Sequence, residues 1–329
     1  MKKGLLRAAA VLLTVLLLPL CTGIAEETFP PSPEPPAGHG TGRPTPAPTE
    51  PPAFEITDHV HFPDLYPDFA FQEDKKLLEI WFPNIRDADE ALLLYDGQAW
   101  MIDCGDTKAG ERGARMLRQL GIQKIDTLFN SHMHHDHIDG LAATAAAAKI
   151  GEIRICFGPD LTQSGLRMIQ TAEELEIPVK EYKDGDSFTM GDGAVKMEVL
   201  KNNEEDLDIN NQSAVMKITY GESSILFTAD MEWLGQEAMM KRLTDPSVLK
   251  SDILKYPHHA KSHIFPAFYD AVDPKMVIAT SLEGRKDAGQ YDIANKGVPA
   301  IYTASLKEYF HLITDGEYWL VESVKIKKE

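Results

Sequence analysis

A chain of 329 residues, 43% hydrophobic and 26% charged, can bury a substantial core and could hold one large domain or two small ones. Its net charge of −18 repels polyanions and argues against an extended nucleic-acid-binding face, though not against a small phosphorylated substrate. Three cysteines do not suggest a disulfide scaffold.

Lys2, Lys3 and Arg7 precede an apolar run, Ala8 to Leu20, too short to span a bilayer comfortably. Gly23-Ile24-Ala25 then offers small residues for cleavage. Residues 1–25 read as a secretory signal peptide and place the chain outside the cytoplasm; the alternative is an uncleaved anchor. Cys21 could mark a lipoprotein, but Leu20 stands where that processing needs a small residue. Removing the leader deletes three positive charges and no negative one, taking the net charge from −18 to −21. Cys104 and Cys156 remain, and read as two buried thiols rather than a bridge. Residues 26–53 are proline-rich and cannot bury enough apolar surface to fold, which implies a disordered tether that could hold the domain near a membrane or wall. Residues 54–76, with Phe54, Phe62, Tyr66, Phe69 and Phe71 among acidic residues, read as an irregular strap.

A folded domain is expected over residues 77–329. Strand patterns occupy Leu77–Phe82, Glu90–Tyr95 and Ala99–Asp103, the last two joined at Asp96-Gly97, which tolerate positive φ. Helical spacing covers Lys108–Leu120, followed by a strand at Ile125–Asn130 and an alanine-rich helix at Leu141–Ala148. A second hairpin turns at Gly221-Glu222 and runs to Asp230; a helix spans Glu232–Leu243. The strand Ile253–Tyr256 leads through Pro257 to His258-His259, and a last hairpin turns at Asp315-Gly316. Hairpins interleaved with single helices imply two mixed sheets with helices outside.

The most informative stretch is Ser131-His132-Met133-His134-His135-Asp136-His137-Ile138-Asp139-Gly140, between a strand and a helix. On a tight strand-to-helix turn, His132 and His134 leave the strand end on one side, while Asp136 and His137 begin the turn and can serve a second ion. Imidazole with carboxylate suits zinc, with manganese or iron also compatible. The plain alternative is a histidine-rich surface loop, which the strand-end placement of H-x-H-x-D-H disfavours.

This run, with EALLLYDGQAWMIDCGD, NNQSAVMKITYGESSILFTADME and SDILKYPHHAKS in that order, resembles the metallo-β-lactamase superfamily. In detail it is most similar to the ComEC-type competence hydrolase domain and its secreted free-standing relatives. The resemblance implies an α/β, four-layer αβ/βα sandwich with two divalent metal ions at one edge. It makes His132 and His134 ligands of one ion, Asp136 and His137 ligands of the other, and Asp230 the bridge. His259 is favoured to close the second site, His258 to hydrogen-bond the substrate's oxyanion, and Asp103 to orient a ligand histidine. Three departures stand out. The third histidine of many relatives falls near Asn210 or Asn211 here. The HHGS loop becomes His258-His259-Ala260-Lys261-Ser262-His263, and a glycine-rich turn becomes Asp87-Ala88-Asp89-Glu90.

The implied chemistry is attack by a metal-bound hydroxide, oriented by Asp136, with no serine or cysteine nucleophile. Cys104 then reads as a core residue, His59-Val60-His61 as a surface feature and His311 as a strand histidine; His263 shares the ligand loop and stays open. Three functions compete: hydrolysis of phosphodiester or related phosphoryl groups, hydrolysis of lactams, lactones or thioesters, and binding without turnover. Both hydrolytic readings use the same ions, so ligands alone do not separate them. The expected partner is a small-molecule or cell-envelope substrate, with peripheral membrane or wall association through the N-terminus.

Overall fold

A computed structural model describes residues 55–61, 74–156, 158, 162–203 and 206–325. The expected signal peptide, Cys21 and the expected tether lie outside them, as do Phe54 and residues 62–73 of the strap. Among the described residues no helix is long and apolar enough to cross a membrane.

The first strands are β1 (Glu55–His61), β2 (Leu78–Phe82), β3 (Glu90–Tyr95), β4 (Gln98–Cys104), β5 (Lys124–Ile125), β6 (Thr127–Phe129), β7 (Lys149–Ile150), β8 (Ile153–Ile155) and β9 (Val179–Glu181). They continue with β10 (Ser187–Met190), β11 (Val195–Leu200), β12 (Val215–Tyr220), β13 (Ser223–Phe227), β14 (Ile253–Lys255), β15 (Met276–Ala279), β16 (Ala300–Tyr302), β17 (Tyr309–Thr314) and β18 (Trp319–Lys325). The helices are α1 (Thr107–Gln119), α2 (His135–Ile138), α3 (Leu141–Ala147), α4 (Gln163–Glu174), α5 (Trp233–Arg242), α6 (Pro266–Val272) and α7 (Ala288–Lys296).

One sheet of nine strands runs β1-β18-β17-β2-β3-β4-β6-β8-β9, and a second of seven runs β10 to β16 in order. Side-chain alternation along each strand sorts the core into layers. Leu78, Ile80 and Phe82 of β2 face inward with Trp100, Ile102, Met197, Met216, Ile225 and Ile253, forming the core between the sheets. The opposite face of the same strands presents Trp81, Leu92 and Met101 to Met116, Leu141 and Met168 of α1, α3 and α4. On the far side Leu226 and Leu254 pack with Met239, Phe268 and Ile293 of α5, α6 and α7. The result is the expected four-layer αβ/βα sandwich.

Two segments differ from their sequence patterns. Residues 55–61, expected to be irregular, form β1 and pair antiparallel with β18; His59 and His61 fall in this strand, at the edge of the nine-stranded sheet. Ile125–Asn130, expected as one strand, is broken at Asp126, whose N–H donates to Ala99 at 2.7 Å and whose carboxylate accepts from the Ala99 N–H at 3.0 Å. That reciprocal clip sends Lys124–Ile125 into a separate two-stranded pairing with β7.

The parallel strands β4, β6, β13, β14 and β15 all end at one edge, the place where α/β sheets present loops to a ligand. Glycine seats the histidine-rich turn there. A Cβ on Gly140 would lie 1.9 Å from the Cys104 carbonyl oxygen, and one on Gly110 2.5 Å from the Gly140 Cα. Only with both glycines can α1 and the turn before α3 approach this closely.

Far along the same sheet, His311 stacks on Trp81 at 3.7 Å between ring centroids and lies 2.8 Å from Glu79 and 3.3 Å from Glu322. Burial would lower the imidazole's pKa, but its bonds to Glu322 and Glu79 outweigh that and raise it. Burial would raise Glu79, and His311 more than offsets it. The raised imidazole stabilises the fold fully below its unfolded value of about 6.5 and less as pH climbs through the folded one; the lowered carboxyl contributes above about 4.3. His311→Gln should therefore cost most between these values, about 1–2 kcal/mol given that Glu79 is 37% exposed. Urea unfolding at pH 5.5 and 9 should show the two proteins converging at the higher pH; a constant difference would remove this pair from the pH dependence.

Candidate metal centre

The histidine-rich turn is built by β6 and fixed from beneath by Asp103, the penultimate residue of β4. Asp103 adopts φ 56°, a conformation that costs an L-residue energy and bends its carboxylate under the turn. Its Oδ1 accepts from the Ser131 N–H at 2.7 Å and its Oδ2 from the Ser131 hydroxyl at 2.6 Å. The same Oδ2 lies 2.7 Å from His137 Nδ1, which leaves Nε2 pointing the other way, 3.2 Å from Asp230 Oδ1. Asn130 donates to the His132 carbonyl at 2.6 Å, closing the bend.

Asp230 follows β13 through Ala229, itself at φ 46°. Its carboxylate is buried and faces four imidazoles. Oδ1 is 3.2 Å from His137 Nε2 and 3.5 Å from His259 Nε2; Oδ2 is 3.9 Å from His132 Nε2 and 3.8 Å from His258 Nε2. Asp136 Oδ2 reaches His259 Nε2 at 3.4 Å. Ligand atoms of Asp136, His137, Asp230 and His259 all lie within 4.8 Å of one another. His132 and His134 flank this group, their rings joined at 3.2 Å.

The histidine pair is separated by backbone conformation. His258, His259 and Ala260 stand at φ 48°, 52° and 60°, three left-handed residues in succession at about 1–2 kcal/mol each. The bend is held by the His258 N–H donating to Ala229 at 2.9 Å and by Gly289, where a Cβ would meet the Ala260 carbonyl at 2.7 Å. His259 is buried and turned into the group. His258 is 19% exposed, with Nδ1 2.5 Å from Glu232 and 3.1 Å from Ser262.

Electrostatics follow from this packing. Burial would raise the Asp230 carboxyl, but His259 and His137 outweigh it and hold it well below the usual range. Burial would lower His137, yet Asp230 and Asp103 push it well above the ordinary value. His259 is pushed up to about 10 by Asp230 and Asp89 against the same desolvation. His132 is lowered by burial and by His137, which favours the neutral ring that a metal requires. Three buried atoms that face one another, His137 Nε2, His259 Nε2 and Asp230 Oδ1, have no hydrogen-bond partner among the described residues. In a dry interior such atoms are costly, and a cation satisfies all three. The residues fit a metal.

Of the two asparagines near the expected third histidine, Asn211 is committed to the scaffold: its Oδ1 accepts from the Gly235 N–H at 2.7 Å and its Nδ2 donates to Asp208 at 3.0 Å. The Asn210 side chain lies against His134, and its buried Oδ1 is unpartnered. Cys104 and Cys156 are free thiols. His263 is 62% exposed and paired with Asp292 at 3.0 Å, away from the group. Sequence reasoning did not single out Asp89, Thr280, Glu232 or Lys255. The available signals were the altered turn that contains Asp89 and Lys255, a lysine inside an apolar strand.

These positions separate the histidine pair experimentally. His259→Ala should lower the metal content of purified protein, while His258→Ala should retain it and slow turnover by about 2.7–4 kcal/mol, as for a lost oxyanion donor. Metal analysis and turnover of both variants decide the matter; the reverse pattern would give the ligand role to His258.

A family model for the metallo-beta-lactamase superfamily matches residues 91–317. The chain is 26% identical over 192 residues to ComE operon protein 3 of Bacillus subtilis, covering 57% of this chain and 24% of that one. It is 31% identical over 93 residues to Ribonuclease Z of Trichodesmium erythraeum, covering 26% and 27% of the two chains. It thus spans about a quarter of the length of these curated relatives. Among solved structures, the metallo-beta-lactamase fold protein YhfI of Bacillus subtilis shares the fold at a TM-score of 0.50 and 12% identity, over 73% of this chain and 100% of that one. With more than half of its length matched and the αβ/βα sandwich in place, the chain belongs to the metallo-beta-lactamase superfamily.

Proposed function

We propose that this metallo-β-lactamase-fold hydrolase acts outside the cytoplasm on phosphodiester or related phosphoryl bonds, with two divalent cations, zinc foremost, as cofactors. The observation that carries the metal-dependent reading is the buried Asp230 carboxylate, faced by His137 and His259 on one oxygen and by His132 and His258 on the other. Bound there, divalent cations would supply Lewis acidity able to lower a water's pKa from ~15.7 toward ~7. His132 and His134 would hold one cation; Asp136, His137 and His259 would hold the other, with Asp230 shared between them. Asp136, its side chain 12% exposed, is the carboxylate of the group nearest solvent and can orient an attacking water. Glu232 and Ser262 fix the His258 ring by Nδ1 and leave Nε2 as the edge that meets substrate.

The phosphoryl assignment is supported by likeness to Ribonuclease Z and to ComE operon protein 3, and by Asn210 standing where many lactam-cleaving relatives carry histidine. The acidic charge favours a small substrate or a cell-envelope decoration over a long nucleic acid. The basic-then-apolar start of the chain and Gly23-Ile24-Ala25 support export.

Chelator-stripped protein reloaded with zinc, manganese or iron should hydrolyse a bis-aryl phosphodiester faster than a chromogenic β-lactam. Equal or better lactam cleavage would move the protein to the lactam and ester class, and inertness with all three metals would end the enzymatic reading. Asp230→Asn, which removes the shared charge at nearly constant volume, should lose one metal and at least ~10²-fold in rate. Near-normal turnover would exclude Asp230 as the shared ligand.

A further inference from the structure

The Asp87-Ala88-Asp89-Glu90 turn, which replaces the relatives' glycine-rich one, leads into β3 directly behind the metal centre. Asp87, at φ 58°, donates its N–H to the Thr280 carbonyl at 2.9 Å, and the Asp89 N–H donates to the Asp136 carbonyl at 3.0 Å. These bonds carry the Asp89 side chain beneath the His259 ring. Asp89 Oδ1 lies 3.1 Å from His259 Nδ1 and accepts from the Thr280 hydroxyl at 2.6 Å, while Thr280 Oγ1 is itself 2.8 Å from His259 Nδ1. Asp89 Oδ2 is paired with Lys255 Nζ. Lys255 also donates to the Ala229 carbonyl at 3.2 Å, one residue before Asp230. Lys255 is 2% exposed and Asp89 6%.

Stability alone does not account for this pair. Desolvation cancels much of the attraction inside a protein, and apolar residues of like volume commonly serve as well or better. What apolar residues cannot do is accept the Nδ1–H of His259. Apart from the Thr280 hydroxyl, the pair's partners lie on segments that bear candidate ligands: the Asp136 turn, the Asp230 turn and the His259 loop. Asp103 plays the same part for His137, but only neutral donors back it, from Ser131 and Asn130.

We propose that Asp89, with Thr280 and the buried cation of Lys255, is a positioning device for the metal centre. Asp89 and Thr280 accept the Nδ1–H of His259 and turn its Nε2 onto the cation; Lys255 matches the Asp89 charge and ties it to the turn carrying Asp230. The inference rests on the reading that His259 binds metal. Two positioning carboxylates thus stand behind the two innermost histidines, one backed by a full positive charge and one not.

The test uses chelator-stripped full-length protein titrated with zinc alone, alongside urea unfolding of the metal-free form. The Asp89→Leu/Lys255→Met double variant removes the pair without stranding either charge. It should unfold at close to the wild-type urea midpoint yet bind its second zinc about 10–100-fold more weakly, with the first unchanged. Asp89→Asn, which keeps an acceptor for Nδ1–H, should fall between the two. Thr280→Val leaves the ion pair whole and should weaken the same zinc site by a smaller factor, so the question stays open to measurement even if the double variant misfolds. Wild-type zinc affinity in the double variant, or in Thr280→Val should the double variant not fold, would make the network purely structural and overturn the proposal. Wild-type protein that binds no zinc would instead overturn the metal reading on which it rests.

Discussion

A buried carboxylate surrounded by imidazoles is the constraint on which the rest of this structure depends. Asp230 sits with four histidine rings within 3.9 Å and almost no exposure to water. An isolated carboxylate there would be prohibitively costly, so the surrounding groups must carry compensating charge, as protons on His137 and His259 or as cations. Each ligand-bearing segment enters at the C-terminal end of a strand, and the strands come from both sheets. The centre therefore exists only when the two halves of the sandwich are closed on each other.

Bringing these three segments to one point requires backbone conformations that L-residues avoid. Asp103, Ala229, His258, His259 and Ala260 all have positive φ, and all lie within the centre or one residue from it. Their strain is local and small beside the core, which buries large side chains in three continuous clusters. Strained residues persist where packing over-determines them, and here the packing is the Gly110–Gly140 crossing on one side and Gly289 against Ala260 on the other. Rigidity at the centre is thus a property of the layers around it.

The candidate ligand groups around Asp230 differ in what supports them. The His137 side is backed by Asp103 and neutral donors, the His259 side by Asp89 and the cation of Lys255. The His132–His134 side has Asn210 in place of a third imidazole. Carbonyl oxygen is a weaker donor to zinc than imidazole, so this side of the group offers the weaker ligand set.

The amino-acid sequence by itself determined the layers and the candidate ligand cluster, because both are written in short-range patterns. Period-two alternation in EALLLY and AWMID marked strands with two distinct faces, Asp96-Gly97 supplied positive φ for their hairpin, and H-x-H-x-D-H concentrated ligands in six residues. Tertiary structure alone decided what distance along the chain conceals. The different orientations of His258 and His259 depend on three left-handed residues and on Glu232 and Thr280, which local sequence does not connect. The clip at Asp126, the pairing of residues 55–61 with β18, and the separation of Asn210 from Asn211 have the same origin. So does the ion pair of Asp89 with Lys255, 166 residues apart. A lysine within an apolar strand shows that a partner must exist; only the closed sandwich shows which carboxylate it meets, because that contact is set by the packing of one sheet against the other.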